Sequence, residues 1–498
     1  MLRYAETHFR FPVSRLYRRE PVILIDAPFQ VCPEAFCPVW LVIRKANLFP
    51  VYVNEIYGEW KNANGQIISF KLPLEKQFNE KFSFEELNFE KPQNCSGLWM
   101  LDISIKYKIK GKEKICNRWN YPFLPPVPLL INFLKQVPPK PQGWLAGEAH
   151  CHSSYTSDSV EFGAAPEILQ KAAKSIGLDF VCITDHSYDL LNEKKFQKMK
   201  KEIAKLNETG TTSLPLLIAS EEISCGNEKK QNVHLLSFGN ENYIEGHGDG
   251  GRRWWNTKPD LSINEAIEKT CDKGKKCACF AAHPKLQMLF SEKFLLKRGH
   301  WSYKDLTENN ICGIEFWNGF RGRDFYEGRD IWIKCLLEGH KLLPLGGNDS
   351  HGDLNSFTAV KKPLWSLKCN QEHVFGQVRT VIPNAGKIPF SEIPENLYIT
   401  DGPALWIENS KLYAKSTEDT GIFLSITLYY AKIGAKKEFS ENLLEHGDAY
   451  EYSFEINFEN KDYVRAECET ICGKFAMTAA IYSPLAALAF PIKAKESI

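Results

Sequence analysis

Residues 144–390 alternate short apolar runs with amphipathic helical patterns, and this alternation limits the possible folds more than any other feature of the chain. Residues 178–184 have the composition of a buried strand. The helical pattern before them starts at Pro166 and has one apolar stripe, formed by Ile168, Leu169, Ala172, Ala173 and Ile176. Repeated strand–helix units predict an α/β domain over residues 144–390 with a mainly parallel sheet, either a barrel or a doubly wound sheet.

Period-two alternation predicts β structure on both sides of this region. One example near the N-terminus is Leu101, Ile103, Ile105, Tyr107 and Ile109, and one near the C-terminus is Tyr450, Tyr452, Phe454, Ile456 and Phe458. We predict an N-terminal β-sandwich-like domain over residues 1–120 and a C-terminal β domain over residues 395–498. The proline-rich segment 121–143 is predicted to be a linker, because proline disfavours helix interiors and central strands.

Charge and hydropathy narrow the classes of function. The 498 residues include 62 basic and 61 acidic side chains, so the formal net charge is +1. Nucleic acid is therefore a partner only if a local basic patch exists, and an anionic membrane surface is not indicated. The N-terminus is charged, and no apolar run approaches the ~18 residues of a membrane span. We expect a cytoplasmic protein.

Polar residues recur where successive predicted strands end. They are His150 and His152, Asp185 and His186, Glu221 and Glu222, His234, His283, Glu315, and finally Asn348, Asp349 and His351. A single histidine or aspartate at such a place is usually a satisfied loop or capping group. That explanation would have to hold independently at seven strand ends. Because the carboxyl ends of parallel strands open on one face of a sheet, the pattern instead predicts a shared site.

The residue types indicate the chemistry of this site. Imidazoles with a few carboxylates suit zinc, manganese or iron, whereas calcium and magnesium prefer oxygen ligands. About nine candidate ligands are too many for one ion, so two or three divalent ions are expected. Clustered ions lower the pKa of a bound water toward about 7 and stabilise in-line displacement at phosphorus. We therefore expect phosphoester hydrolysis by a multinuclear metal-activated hydroxide.

The ordered motifs resemble the PHP family (polymerase and histidinol phosphatase). They are His150-x-His152 with a trailing Ser-Asp158, Thr-Asp-His186, a strand-end Glu222, the separate His234 and His283, and Asp349-x-His351. The resemblance covers roughly residues 145–390. It implies a distorted (β/α)7 barrel with a trinuclear metal site at the carboxyl ends of its strands.

The resemblance also implies how the ligands are shared. One ion would be bound by His150, His152, Glu222 and Asp349, a second by Asp158, His186 and His351, and a third by Glu222, His234 and His283, with Glu222 bridging. Glu222 is preferred because Glu-Ile-Ser matches the family motif, and Glu221 is the alternative. Asp158 stands where some relatives have histidine, and Asn348 stands where serine is common.

Further residues are expected around the metals. Asp185 and Glu315 would orient imidazoles. Lys285 and Arg321 follow strand ends and could pair with a substrate phosphate, Arg321 through its bidentate fork. Alternatively, both are solvated loop charges. Trp254 and Trp255 could line a pocket or pack beneath a loop.

The β-rich flanks are similar to those of the carbaryl-hydrolase-like branch of the family, which mixes predicted phosphoesterases with members acting on carbamate or carboxyl esters. We expect a small phosphorylated or ester substrate. One alternative keeps the metals but cleaves a carboxyl or carbamate ester. Another is a non-catalytic, metal-stabilised module that binds a protein partner, although every expected ligand position is filled. A nuclease is a special case of the phosphoesterase hypothesis and would need a basic groove.

Overall fold

The computed structural model describes residues 19–486, except for 94, 122–123, 157–161, 210–213, 249–256, 272–277, 289–292, 295, 363–365, 371, 395 and 485. The chain forms two compact units. The first contains residues 1–137, 157–177 and 350–375, and the second contains residues 138–156, 178–349 and 376–498. Both units are assembled from separate stretches of chain, whereas the sequence predicted consecutive domains.

Strands dominate the described residues. They are β1 (Val22–Asp26), β2 (Gln30–Val31), β3 (Trp40–Arg44), β4 (Val51–Asn62), β5 (Ile67–Phe78), β6 (Phe82–Glu86), β7 (Gly97–Ile109), β8 (Lys112–Asn117), β9 (Leu129–Phe133), β10 (Trp144–Cys151), β11 (Phe180–His186), β12 (Leu216–Gly226), β13 (Asn232–Phe238), β14 (Ala278–Ala282), β15 (Gly313–Asn318), β16 (Leu343–Gly347), β17 (Phe357–Lys362), β18 (Ser366–Asn370), β19 (Arg379–Pro383), β20 (Tyr398–Thr400), β21 (Ala404–Glu408), β22 (Lys411–Lys415), β23 (Phe423–Ala431), β24 (Phe439–Glu445), β25 (Glu451–Glu455), β26 (Tyr463–Thr470), β27 (Phe475–Thr478) and β28 (Ile481–Tyr482).

The helices of the described residues are α1 (Pro166–Ser175), α2 (Ser187–Leu190), α3 (Glu193–Thr209), α4 (Ile263–Thr270), α5 (Tyr303–Glu308) and α6 (Arg323–Leu337). As the sequence predicted, α1 begins at Pro166 and buries its apolar stripe. None of these helices combines the length and apolar character that a bilayer crossing requires.

The first unit contains two sheets that share one core. Their strand orders are β1-β3-β6 and β2-β9-β7-β4-β5, with β8 paired to β7, and β17 and β18 form a separate hairpin. Core side chains come from both sheets, for example Ile23 and Leu41 from the smaller sheet and Trp60 from the larger one. Alternate residues of β7 are buried, which confirms the β structure predicted from its period-two pattern.

The predicted linker 121–143 contains a strand of the first unit. Strand β9 pairs antiparallel with β7 and parallel with β2. Leu129, Ile131 and Phe133 are buried while Leu130 and Asn132 are more exposed. The prolines lie on either side of this short alternating run, so they bound the strand and do not interrupt it.

The second unit contains a 14-stranded sheet in which β10 to β16 lie side by side in sequence order. This arrangement does not match the predicted (β/α)7 barrel. Strand β13 runs antiparallel to both β12 and β14. Only residues 227–231 separate β12 from β13, which suffices for a hairpin but not for the helical crossover that a parallel pair requires. The sheet also continues beyond β10 through β19 and β20.

C-terminal strands extend this sheet in the order β20-β27-β26-β23-β24. A three-stranded sheet, β21-β22-β25, packs against them through a core that includes Leu405, Leu412, Phe423 and Val464. The β structure predicted after residue 395 is therefore confirmed for the described residues, and part of it belongs to the same sheet as the preceding strands.

Candidate metal centre

The carboxylate of Glu222, on β12, lies at the centre of a cluster of histidines. Its Oε1 is 2.7 Å from Nδ1 of His234 and 3.0 Å from Nε2 of His283. Its Oε2 faces three other rings, with distances of 2.9 Å to Nδ1 of His186, 3.2 Å to Nε2 of His152 and 3.4 Å to Nε2 of His150. The two oxygens of one buried carboxylate thus face two different sets of imidazoles.

Asp349 adds a second carboxylate to one side of the cluster. Its Oδ1 is 3.1 Å from Nε2 of His152 and 3.5 Å from Nε2 of His150. The backbone N–H of Asp349 donates a 2.7 Å hydrogen bond to the carbonyl of His150, which joins the turn after β16 to the end of β10.

Within the second unit, two groups of described residues bring one candidate ligand atom per residue within 4.8 Å of one another, and both consist of buried side chains. They are His150, His152, Glu222 and Asp349, and His186, Glu222 and His234. The first group is the ligand set that the family resemblance implied for one ion. The second pairs His186 with Glu222 and His234, a combination that the resemblance did not imply. These clusters could hold metal ions.

Hydrogen bonding within the cluster fits the presence of metals. Among the described residues, Nε2 of His150 and Oε2 of Glu222 are buried, and the close contacts that they make within the cluster do not have the geometry of hydrogen bonds. Such atoms are costly to bury, since they have lost water without a replacement. Imidazole nitrogens and carboxylate oxygens converging on one volume are the donor set of zinc, manganese and iron sites.

Electrostatics favour the ionised carboxylate. Burial of Glu222 opposes its ionisation, but the surrounding imidazoles, His234 foremost, hold its pKa well below the usual value. Burial of the His150 ring opposes its protonation, but the facing carboxylates, Glu315 foremost, raise its pKa well above the usual value. The carboxylate of Glu222 is therefore the anionic group at the centre of the cluster.

Two of the residues in the cluster have unusual backbone conformations. Asp349 has φ +48° and His283 has φ +27°, both in the left-handed region that disfavours residues with a Cβ. Such conformations persist only where surrounding contacts enforce them, and they concentrate at functional sites.

Glu315, on β15, orients His150. Both of its carboxylate oxygens lie 3.0 Å from Nδ1 of His150, and Oε2 also accepts from the backbone N–H of His283 at 3.2 Å. A carboxylate accepts hydrogen bonds, so Nδ1 carries a proton, and Nε2 is the ring nitrogen left to bind a metal ion. The orienting role predicted for Glu315 matches this geometry.

Asp185 organises the segment that follows His152. Its oxygens accept hydrogen bonds from the backbone N–H and hydroxyl groups of Ser153 and Thr156, at 2.6–2.9 Å. Because the Thr156 hydroxyl donates to Asp185, its lone pair is left to accept from Nδ1 of His152, 3.2 Å away. Asp185 therefore acts on His152 through Thr156, and Nε2 of His152 faces the carboxylates.

Glu222, and not its neighbour Glu221, faces the histidine cluster. The carboxylate of Glu221 accepts from the side-chain amide of Asn240 at 2.7 Å and from the backbone N–H of Ile244. Burial raises its pKa well above the usual value. Adjacent residues of a strand point to opposite faces, so only Glu222 can reach the histidines.

Two further predicted ligands are Asp158 and His351. Asp158 lies outside the described residues. His351 is buried within the first unit. Their assignment as ligands stays a prediction from the sequence.

The predicted substrate-binding cations make contacts of their own. Lys285 donates to the backbone carbonyl of Trp301 at 3.0 Å, and its burial lowers its pKa. Arg321 pairs with Glu469 at 3.3 Å and donates to the carbonyl of Gly473 at 2.6 Å. The structure therefore does not bring Arg321 to the cluster. Trp254 and Trp255 lie outside the described residues.

A small cavity of about 20 Å³ borders the cluster beside His234 and His283. Arg298 is the one lysine or arginine among its lining residues in the part of the chain that the structure describes, and the ring of Trp301 also lines it. Arg298 is not identifiable from the sequence pattern, because it does not lie at a predicted strand end. Thr156 is not identifiable either, because its contacts depend on a loop conformation.

The fold and this centre define a sheet-rich α/β protein with a buried histidine–carboxylate cluster able to hold metal ions. No protein-family model matches the chain, and no curated protein matches its sequence. Among solved structures, a β-glucuronidase from Parabacteroides merdae is similar at 9% sequence identity and a TM-score of 0.16, covering 93% of this chain and 77% of that one. A likeness at this level carries no argument about fold or activity.

Proposed function

We propose that this chain is a metal-dependent phosphoesterase of the PHP type. The observation that carries the proposal is the position of Glu222, whose two oxygens face five histidines at 2.7–3.4 Å. A carboxylate shared in this way is suited to bridging two ions. The ordered histidine and carboxylate motifs of the sequence also support the family assignment.

The donor atoms favour two or three ions of zinc, manganese or iron. His150, His152, Glu222 and Asp349 would hold one ion, and His186, Glu222 and His234 would hold a second. His283 would contribute on the Oε1 side of Glu222. When bound, such ions acidify water and offset the negative charge that develops on oxygen during displacement at an ester.

The residues of the chain prepare this chemistry in three ways. Glu315 and Thr156 fix the proton on Nδ1 of His150 and His152, which leaves both Nε2 atoms as ligands. Burial of the cluster strengthens its electrostatic interactions. Arg298 lines the adjacent cavity and carries a permanent positive charge, which makes it a candidate to pair with a substrate anion.

The test combines metal analysis with a matched panel of aryl substrates. Purified protein would be analysed for bound metals, then loaded with zinc, manganese or iron and assayed on an aryl phosphate monoester, an aryl phosphate diester, an aryl acetate and an aryl carbamate. We expect hydrolysis of a phosphate ester that is lost in His150→Ala. Turnover of the acetate or carbamate alone would replace the proposal with an ester or carbamate hydrolase. Bound metal without turnover of any substrate would favour a non-catalytic module.

A further inference from the structure

Glu148 is a second buried carboxylate near the centre, and its bonding differs from that of Glu222. It lies on β10 two residues before His150 and is fully buried. Its Oε1 accepts from the backbone N–H groups of His150 at 3.0 Å and Asn348 at 3.1 Å. Its Oε2 accepts from the side-chain amide of Asn348 at 2.5 Å and from the N–H of Gly376 at 2.8 Å.

All four partners of Glu148 are N–H donors. An ionised carboxylate, which only accepts, satisfies all of them with two bonds to each oxygen. A neutral amide at the same place would turn one end into a donor and set it against the N–H groups on that side. The pattern therefore requires glutamate specifically and not merely a polar side chain of the same size.

These bonds join the two segments that supply ligands. One segment is the end of β10 with His150, and the other is the turn after β16, where Asn348 precedes Asp349. Asn348 is held in turn by two hydrogen bonds to the backbone of Val378, at 2.8 and 3.0 Å. Because Asp349 has φ +48°, its turn needs contacts of this kind to keep its shape.

We infer that Glu148 is a positioning residue of the metal centre, fixing the separation between the His150 segment and the Asp349 turn. It acts through backbone N–H groups and the Asn348 side-chain amide, and not through the ligand atoms of His150 or Asp349. Partners of this kind that hold ligands in place typically change metal affinity by 10–100-fold when they are removed. The inference rests on the metal centre of the proposed function but not on the reaction catalysed there.

The experiment measures Zn²⁺ affinity by competition with a chromogenic chelator. We expect Glu148→Gln to weaken binding by about 10–100-fold while circular dichroism of the metal-free protein stays unchanged. Glu221→Gln is the matched control, since Glu221 is equally buried but bonds to Asn240 and Ile244. Its Zn²⁺ affinity should stay within about twofold of the parent protein.

A second variant approaches the same contact from the other side. Asn348→Ala removes the amide donor and leaves Glu148 unchanged, so it tests the inference even if Glu148→Gln does not fold. Parental Zn²⁺ affinity in a folded Glu148→Gln or Asn348→Ala protein would overturn the inference, as would an equal loss in Glu221→Gln or no Zn²⁺ binding by the parent protein. Zn²⁺ binding without phosphoester turnover would reject the phosphoesterase proposal and leave this inference standing.

Discussion

Oε1 of Glu222 lies 2.7 Å from Nδ1 of His234, while the other oxygen of the same carboxylate lies 2.9 Å from Nδ1 of His186. The two imidazole rings thus contact opposite oxygens of one carboxylate, and that side chain is fully buried. Without a counter-charge, five imidazoles in a closed volume would repel one another as soon as they were protonated. Glu222 supplies that counter-charge, and it also supplies an oxygen to each side of the cluster.

Replacement of Glu222 should therefore change the metal stoichiometry. We expect Glu222→Gln to retain about one ion per chain fewer than the parent protein, because an amide bridges ions poorly. Elemental analysis after dialysis against zinc or manganese measures this directly. Glu221→Gln serves as the control, and full metal content in Glu222→Gln would show that the carboxylate is not a ligand.

We expect Glu315 to increase the metal affinity of the centre without binding a metal ion itself. Both of its carboxylate oxygens lie 3.0 Å from Nδ1 of His150. Glu315→Gln would weaken this contact, which orients the imidazole ring, and would lower metal affinity by about 10–100-fold. The Glu245–His247 pair, with a 3.1 Å contact, provides a control outside the cluster. Chelator competition should show a loss in Glu315→Gln and none in Glu245→Gln. Equal affinities in the two variants would contradict the orienting role.

Two substitutions of Thr156 test whether its hydroxyl group contributes to metal affinity. Thr156→Val keeps the shape of the side chain but removes the group that joins His152 to Asp185, whereas Thr156→Ser keeps that group. We expect metal affinity to fall by about tenfold in the valine variant and to be largely retained in the serine variant. Similar losses in both variants would mean that packing of the methyl group, and not the hydrogen bond, is what matters.

Much of this centre was predictable because strand ends are recognisable from sequence. His150, His152, Glu222 and His283 follow from the rule that the carboxyl ends of parallel strands open on one face. His234 lies near the start of β13, and because β13 is antiparallel to β12, its start lies at the same edge of the sheet as the end of β12. The preference for Glu222 over Glu221 came from a motif, and strand geometry supplies its physical reason. Thr156 and Glu148 were not predictable in the same way, since their partners are backbone N–H groups or residues brought together only by folding.

The fold was predicted less completely than the site. The apolar run of β13 is equally compatible with a parallel or an antiparallel strand, and the strand–helix alternation around it predicted a mainly parallel sheet. The short connection at residues 227–231 was the available indication of a hairpin. Similarly, the prolines on either side of β9 obscured an alternation of only five residues, from Leu129 to Phe133.

Metal binding should stabilise the folded protein. A ligand that binds only the folded state at about 100 times its Kd contributes roughly 2.7 kcal/mol. We expect chelation to lower the melting temperature and added zinc or manganese to restore it in a concentration-dependent manner. Differential scanning fluorimetry measures both effects. A melting temperature that does not respond to metal over several decades of concentration would argue against a centre occupied in the folded state.

A buried ion network near the C-terminus should govern stability without affecting metal affinity. Arg465 donates to Glu438 at 2.6 and 2.9 Å and to Glu467 at 2.5 Å, and all three side chains are buried. Arg465→Met would leave Glu438 without its cation, while Glu467 would keep its 3.1 Å contact with Arg329. We expect a cost of about 3–5 kcal/mol, because a buried carboxylate is left unpaired. Urea unfolding should show this loss, while the Zn²⁺ affinity of the folded variant should equal that of the parent.

The exposed pair of Arg323 and Glu327, on α6, provides the contrast for Arg465. Its contact distance of 2.6 Å is equal to the shorter Arg465–Glu438 contact, but the Arg323 side chain is 77% exposed. Water screens such a pair, so Arg323→Met should change stability by less than about 1 kcal/mol. Comparable losses in Arg323→Met and Arg465→Met would mean that burial does not set the strength of the network. A large loss confined to Arg465→Met would establish that the strands after residue 395 are held to one another by charge as well as by their apolar core.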